Sequence, residues 1–311
     1  MEKQKPYLSF SFPSPGRTSL LFKKAAEKNN EVLRNKTVAE HRELMLPLAD
    51  VRIVPPGVQV EQVDCGGVPC EWVSRADSPT GRAIYYIHGG SWAYGNLKTA
   101  RAVGVMLCEL TGCRTLVIEY RLSPEHPYPA ASDDCRMVYR WLGENGYPAK
   151  NLALFGDSAG GNLSLSLLHR LKALGQPLPA AVGLASPVTD LTGNSELMKR
   201  MPNLMYTQYM GREQDIFSLY CGDNDRQNPL ISPVYGDLSG FPPMLVHVGQ
   251  DEELCLDCAA FAQAAYEAGT DIRLKIWKDM FHDFSIVGVT LKESRQSMKE
   301  FGEFFTAHLR D

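Results

Sequence analysis

The run Gly156-Asp157-Ser158-Ala159-Gly160-Gly161 sets a serine between glycines two residues before and two after it. A serine hydroxyl is a weak nucleophile at neutral pH. Chemistry at Ser158 therefore requires a histidine to take its proton and a carboxylate to fix that histidine's tautomer. The surroundings suit such a use: residues 152–155 read as a strand, and Leu163, Leu167, Leu168 and Leu171 as a helical period, so the serine falls on a strand-to-helix turn. A turn of this kind strains the serine backbone and crowds its neighbours, where only small residues fit. A serine that merely capped a helix would need no glycine on both sides.

Of the seven histidines, His282 stands out. It lies in the loop "WKDMFHDF" after the last expected strand, which would carry it to the end of the sheet where Ser158 emerges. His247 falls inside a strand run and reads as a packed residue; His169 and His308 belong to helices, and His41 is near the N-terminus. For the acid, Asp251 directly follows "MLVHVGQ" at a strand end, with Glu252, Glu253 and Asp257 as competitors. A residue one place past a strand is held more rigidly than residues entering the next helix, so Asp251 is preferred. The order Ser158, Asp251, His282 is then the one expected of an α/β-hydrolase.

Attack by Ser158 would create a tetrahedral oxyanion, and losing one hydrogen-bond donor to such an anion typically costs about 3 to 4 kcal/mol. The stretch "YYIHGGSWAYGN", residues 85–96, ends a strand with paired glycines. It can supply N–H groups from Gly90 and Ser91, with Gly89 shaping the turn, while Ala159 supplies a third. The glycines would let a substrate carbonyl lie against bare backbone.

These residues need a scaffold that gathers them. A hairpin is signalled by Cys65-Gly66-Gly67 between runs at 58–63 and 68–73. Strand-like runs at 83–87, 114–119, 152–155, 180–184, 244–248 and 272–277 then alternate with helical periods. That rhythm implies an α/β fold: a mostly parallel central sheet with helices on both faces. From about 190 to 235 no strand is expected. There Met198, Met201, Leu204, Met205, Tyr206, Tyr209, Met210, Phe217 and Tyr220 fall at helical spacing, which suggests a helical cap inserted into a catalytic domain spanning 51–311. Residues 1–50 read as the N-terminal helical part of the same cap.

The bulk composition narrows the partners. The chain has 311 residues, 44% hydrophobic and 22% charged, with a formal net charge of −4 and interspersed signs. No electrostatic footprint for a nucleic acid is present. The one basic run, Lys23, Lys24 and Lys28 among Leu20, Leu21, Phe22, Ala25 and Ala26, reads as the solvated face of an amphipathic helix. There is no signal-peptide pattern and no apolar stretch of the roughly 18 residues a membrane span needs, so no stable membrane insertion and a cytoplasmic location are expected. The eight cysteines are scattered and suit reduced, packed thiols. The spacing of Cys65 and Cys70 is too loose to pair convincingly with Cys255 and Cys258 in a zinc site, and no metal is expected.

Taken together, "HGGSW" at 88–92, "YRLSPEHPYPAA" at 120–131, "GDSAGGN" at 156–162, "NPLISPVYGDLSGFPPMLVHVGQDE" at 228–252 and "FHDF" at 281–284 resemble the hormone-sensitive-lipase-like esterases of the α/β-hydrolase superfamily. The likeness spans nearly the whole chain after residue 80. It implies a serine carboxylesterase that needs no cofactor, takes short-chain or compact esters through an acyl-enzyme, and is compatible with a homodimer. It also implies Ser158, Asp251 and His282 as nucleophile, acid and base. An amidase or deacetylase with the same triad remains open, as does a small-molecule-binding protein on the hydrolase scaffold. One departure stands out: Ser91 occupies the fourth position of the usual His-Gly-Gly-Gly. A left-handed backbone there would cost a non-glycine residue about 1 to 2 kcal/mol, so a negative φ is expected at Ser91. Its hydroxyl would narrow the acyl space.

Overall fold

The computed structural model describes residues 5–11, 18, 21, 23–24, 36–50, 54–193, 216–288 and 290–309. The middle of the expected cap insertion, residues 194–215 with Met198 to Met210, lies outside the described residues, as do Leu20, Phe22, Ala25, Ala26 and Lys28 of the basic run. The strands are β1 (Leu8–Phe10), β2 (Val58–Asp64), β3 (Pro69–Arg75), β4 (Ala83–Ile87), β5 (Arg114–Ile118), β6 (Leu152–Asp157), β7 (Ala181–Ala185), β8 (Met244–Gly249) and β9 (Ile272–Trp277). They form one sheet in the order β1-β9-β8-β7-β6-β4-β5-β3-β2, parallel except where β3 runs against its neighbours β2 and β5. Five of these strands, β4 to β8, begin within one residue of the positions their apolar runs imply, and β9 matches its run at both ends.

The helices are α1 (Val38–Asp50), α2 (Leu97–Thr111), α3 (Ala130–Glu144), α4 (Ser158–Ala173), α5 (Ile216–Cys221), α6 (Cys255–Glu267) and α7 (Lys292–His308). Central strands read as unbroken apolar runs because both faces are covered. Ile84 and Tyr86 of β4 join a core layer with Val103 and Leu107 of α2 and Phe301 and Phe305 of α7. Tyr85 and Ile87 pack on the other layer with Leu163 and Leu167 of α4 and Phe261 of α6. Local signals set the helix ends: Asn96 and Thr99 form a reciprocal capping box at the start of α2, and Gly112 closes it in the left-handed region at φ 71°.

One correction concerns the N-terminus. Residues 1–50 were expected to be helical, yet Leu8–Phe10 adds a parallel strand on β9, pairing Leu8 with Leu274 and Phe10 with Ile276. Three residues are too few to show a period, and their conformation is dictated by the unpaired edge of β9.

The topology makes the site. The chain moves from β4 outward to β5, then returns to lay β6 on the other side of β4, so the carboxyl ends of β4 and β6 flank a switch point. A crevice opens at such a point because the following segments diverge. Ile87 is level with Gly156 and Asp157 with Ala185, which brings the 88–94 loop, Ser158 and Ser186 to one edge.

Candidate active site

Ser158 leaves β6 at φ 51° and begins α4. The glycines around it are steric necessities. A Cβ on Gly160 would stand 2.0 Å from the Ile87 carbonyl oxygen, and one on Gly156 would stand 2.5 Å from that of Gly160. Those contacts let β4, β6 and α4 close tightly enough to hold the serine at the mouth of the crevice.

His282 meets Ser158 as expected, with Nε2 3.0 Å from Oγ. The acid differs. Nδ1 of His282 faces Oε2 of Glu252 at 3.3 Å, and the Glu252 side chain is 1% exposed. Asp251 does not reach the histidine: its carboxylate turns outward to an ion pair with Lys23, while its own N–H bonds the Met280 carbonyl at 2.9 Å. A rigid backbone at 251 does not aim its side chain at the histidine, because successive residues past the strand project in different directions and the longer glutamate is the one aimed inward. Burial pushes the Glu252 carboxyl up, with the His282 ring and the Ser186 hydroxyl pulling it back. Ser186 Oγ donates to Glu252 Oε2 at 2.9 Å and lies 3.3 Å from the donating N–H of Asp283. A buried serine at φ 45° thus fixes the acid and the histidine loop together.

Two further carboxyl groups escaped the sequence reading. Asp283, at φ 58°, places Oδ2 3.3 Å from Nε2 of His282, beside the serine oxygen. The residue after the histidine was the available signal. Asp157 is buried under the loop, where Oδ1 accepts from the Tyr86 hydroxyl at 2.7 Å and Oδ2 from the Gly89 N–H at 3.0 Å. Burial, with Asp283 adding repulsion, pushes its carboxyl up to about 8. In an unfolded chain the group titrates near 3.9, so the folded state holds the extra proton between these values. Its stabilising contribution is complete below about pH 4 and is lost as pH rises through about 8. Asp157→Asn is therefore expected to flatten the fall in thermal midpoint between pH 5 and 9; an unchanged slope in a melting series would contradict this.

The 88–94 loop departs from expectation at one residue. Ser91 has φ 53° and Trp92 φ 56°, so the negative φ expected at Ser91 is overturned. The cause is a tight left-handed turn in which the Gly90 carbonyl accepts from the N–H groups of Ala93 at 3.0 Å and Tyr94 at 2.8 Å. Tertiary contacts hold it: Trp92 stacks on Tyr220 with centroids 4.4 Å apart, and Arg42 of α1 donates to the Ala93 carbonyl at 2.8 Å while bridging to Glu125. Ser91→Gly should remove the Cβ penalty, offset by glycine's chain entropy, for a net gain of about 0.5 to 1 kcal/mol measured by chemical denaturation. A loss of stability would show that the serine side chain is itself a support.

Gly89 shapes the turn rather than donating into the crevice, since its N–H is committed to Asp157 and a Cβ there would stand 2.3 Å from Oδ2 of that residue. The loop hydrogen bonds among the described residues leave the N–H groups of Gly90 and Ser91 unspent. Ala159 lies in the first turn of α4, whose N–H groups lack intrahelical acceptors and carry the positive end of the helix dipole. His88, buried and stacked on Tyr120 with centroids 4.4 Å apart, is held to about 4 by burial and so stays neutral beside the loop.

Comparison with known proteins agrees with this arrangement. Residues 84–286 match the α/β-hydrolase fold family model. An acetyl-hydrolase of Streptomyces hygroscopicus is 37% identical over 253 residues, 81% of this chain and 83% of that protein. An esterase of Acinetobacter venetianus is 34% identical over 259 residues, with 81% and 83% covered. Among solved structures, an esterase from the bacterial hormone-sensitive lipase family superposes with a TM-score of 0.83 at 34% identity, covering 91% of this chain and 98% of that one. The chain belongs to the α/β-hydrolase fold family, in its hormone-sensitive-lipase-like branch, and is a serine carboxylesterase. Among the described residues, no helix is long and apolar enough to cross a membrane.

Proposed function

We propose that this carboxylesterase hydrolyses short-chain or compact esters through an acyl-enzyme on Ser158, with His282 as base and Glu252 as the acid that orients it. The observation that carries the reading is the continuous relay from Ser158 Oγ to His282 Nε2 at 3.0 Å and from His282 Nδ1 to Glu252 at 3.3 Å. In this reading Nε2 takes the serine proton as Oγ attacks the ester carbonyl, and the imidazolium then protonates the leaving alcohol. Water repeats the sequence to free the acid. The N–H groups of Gly90, Ser91 and Ala159 receive the oxyanion. The Asp283 carboxylate beside Nε2 favours the imidazolium once it forms.

The small acyl group is supported by the Cβ of Ser91 where bare glycine is usual, and by the names of two relatives: the Streptomyces acetyl-hydrolase and an ethyl acetate hydrolase of Pseudomonas putida, 28% identical over 235 residues. A cap over the crevice fits the same reading, supported by Lys23 on Asp251, Arg42 on the loop carbonyl and Phe217 and Tyr220 of α5 against Trp92. A cytoplasmic setting is supported by the eight free, buried cysteines. Steady-state rates on p-nitrophenyl esters from acetate to decanoate test the substrate class. kcat/KM is expected to peak at acetate or butyrate and to fall at least tenfold by decanoate; a profile that rises with chain length would overturn it. Labelling by a fluorophosphonate at Ser158 tests the acyl-enzyme separately.

A further inference from the structure

At the far end of α4 lies a cavity of about 590 Å³, set between that helix, α3 and the 228–237 segment. Arg170, Lys172 and Leu174 line it from α4 and its end, Arg136 from α3, and Pro229 and Leu230 from the facing segment. These α4 positions follow Ser158 by 12 to 16 residues, which at 1.5 Å per residue puts the cavity about 18 to 24 Å from the nucleophile position along the helix. It is separate from the catalytic crevice.

The charges in this cavity do not balance. Arg170 pairs with Asp133, and Lys172 pairs with Asp237 at 2.6 Å. Arg136 has no such partner among the described residues. The carboxylates nearest to it in sequence are committed elsewhere, Asp133 to Arg170 and Asp134 to Arg121 at 2.7 Å. Its Nε is buried and meets no acceptor among the described residues. A guanidinium cannot shed its proton to escape this, and a buried N–H without an acceptor is costly. Among the described residues, therefore, the cavity retains one uncompensated positive charge, on a group whose planar fork matches a carboxylate.

The remaining walls narrow the ligand further. Leu174, Leu230 and Pro229 offer an apolar surface for a short chain. Asp237, held well below the usual carboxylate range by Lys172, would repel a second negative charge. The facing segment is pre-formed, since Ser166 donates to the Leu230 carbonyl and Asn162 to that of Ile231, each at 2.9 Å. We propose that this cavity is a second binding site, for a small monocarboxylate with a short apolar body, in which Arg136 receives the carboxylate. The inference does not depend on the substrate assigned to the catalytic crevice.

The test uses the full chain with Ser158 covalently capped by phenylmethylsulfonyl fluoride, so that the catalytic crevice cannot contribute. Isothermal titration with sodium hexanoate at constant ionic strength is expected to show one saturable site per chain. Arg136→Gln should weaken it at least tenfold, while hexan-1-ol, which keeps the body and loses the charge, and inorganic phosphate, which keeps charge and loses the body, should each bind at least tenfold more weakly. Should Arg136→Gln fail to fold, Leu174→Glu carries the test, because Leu174 is 55% exposed and a carboxylate there should repel hexanoate from the rim. Absence of a saturable site, equal affinity in the folded variants, or phosphate or hexanol binding as tightly as hexanoate would each overturn the proposal.

Discussion

Ser158→Ala is expected to lower kcat on a p-nitrophenyl ester by about 10⁶, the scale on which removing a triad serine acts. The substitution deletes the hydroxyl that His282 Nε2 meets at 3.0 Å and leaves the rest of the crevice in place. Alanine meets the same backbone strain at φ 51° as serine does, so the folded state should survive with its thermal midpoint nearly unchanged. KM should change far less than kcat, because the hydroxyl acts chiefly in the transition state. Residual turnover within tenfold of the parent would remove the acyl-enzyme from consideration.

Glu252→Gln is expected to lower kcat by about 10⁴, while Asp251→Asn should leave it within about threefold. Glutamine preserves the shape but cannot stabilise the imidazolium, and its amide can hold His282 in the wrong tautomer. The buried Ser186 hydroxyl, which now donates to the carboxylate at 2.9 Å, can instead accept from the amide N–H, so the defect should appear in kcat rather than in folding. Asp251→Asn breaks a half-exposed ion pair with Lys23, an interaction generally worth about 1 kcal/mol or less. The pair of variants therefore separates two adjacent carboxylates cleanly: an inactive Asp251→Asn beside an active Glu252→Gln would return the acid to the position after the strand. Circular dichroism of both variants guards against a folding defect being read as a catalytic one.

The error at 251 and 252 shows what kind of information local sequence carries. Which residues enter a strand is written in runs of apolar side chains, and β4, β6 and β9 follow those runs because both faces of the sheet are covered. Where a carboxylate points after the strand ends depends on what lies across from it. Lys23 draws Asp251 outward, whereas the ring of His282 and the hydroxyl of Ser186 meet Glu252 inside. These partners are from 30 to more than 200 residues away in the chain, and no local pattern announces them.

Ser91 carries the same lesson in backbone form. A serine disfavours a left-handed conformation, and taken alone it argues for a negative φ. The turn that accepts Ala93 and Tyr94 on one carbonyl, with Trp92 stacked on Tyr220 and Arg42 bound to the Ala93 carbonyl, overrides that preference. Asp157 was equally silent: within the motif it is only the residue before a serine, and it becomes a support for the loop once β4 and β6 lie side by side.

The sequence by itself determined the alternating scaffold, the serine on its glycine-flanked turn, the histidine that answers it and the loop that faces it, because each depends on local sterics and periodicity. Only the tertiary structure decided which acid stands behind the histidine, that a left-handed turn carries Ser91, and that Arg136 is left without a counter-charge among the described residues. Those outcomes follow from the direction of side chains and from long-range partners, which exist only after distant segments have packed.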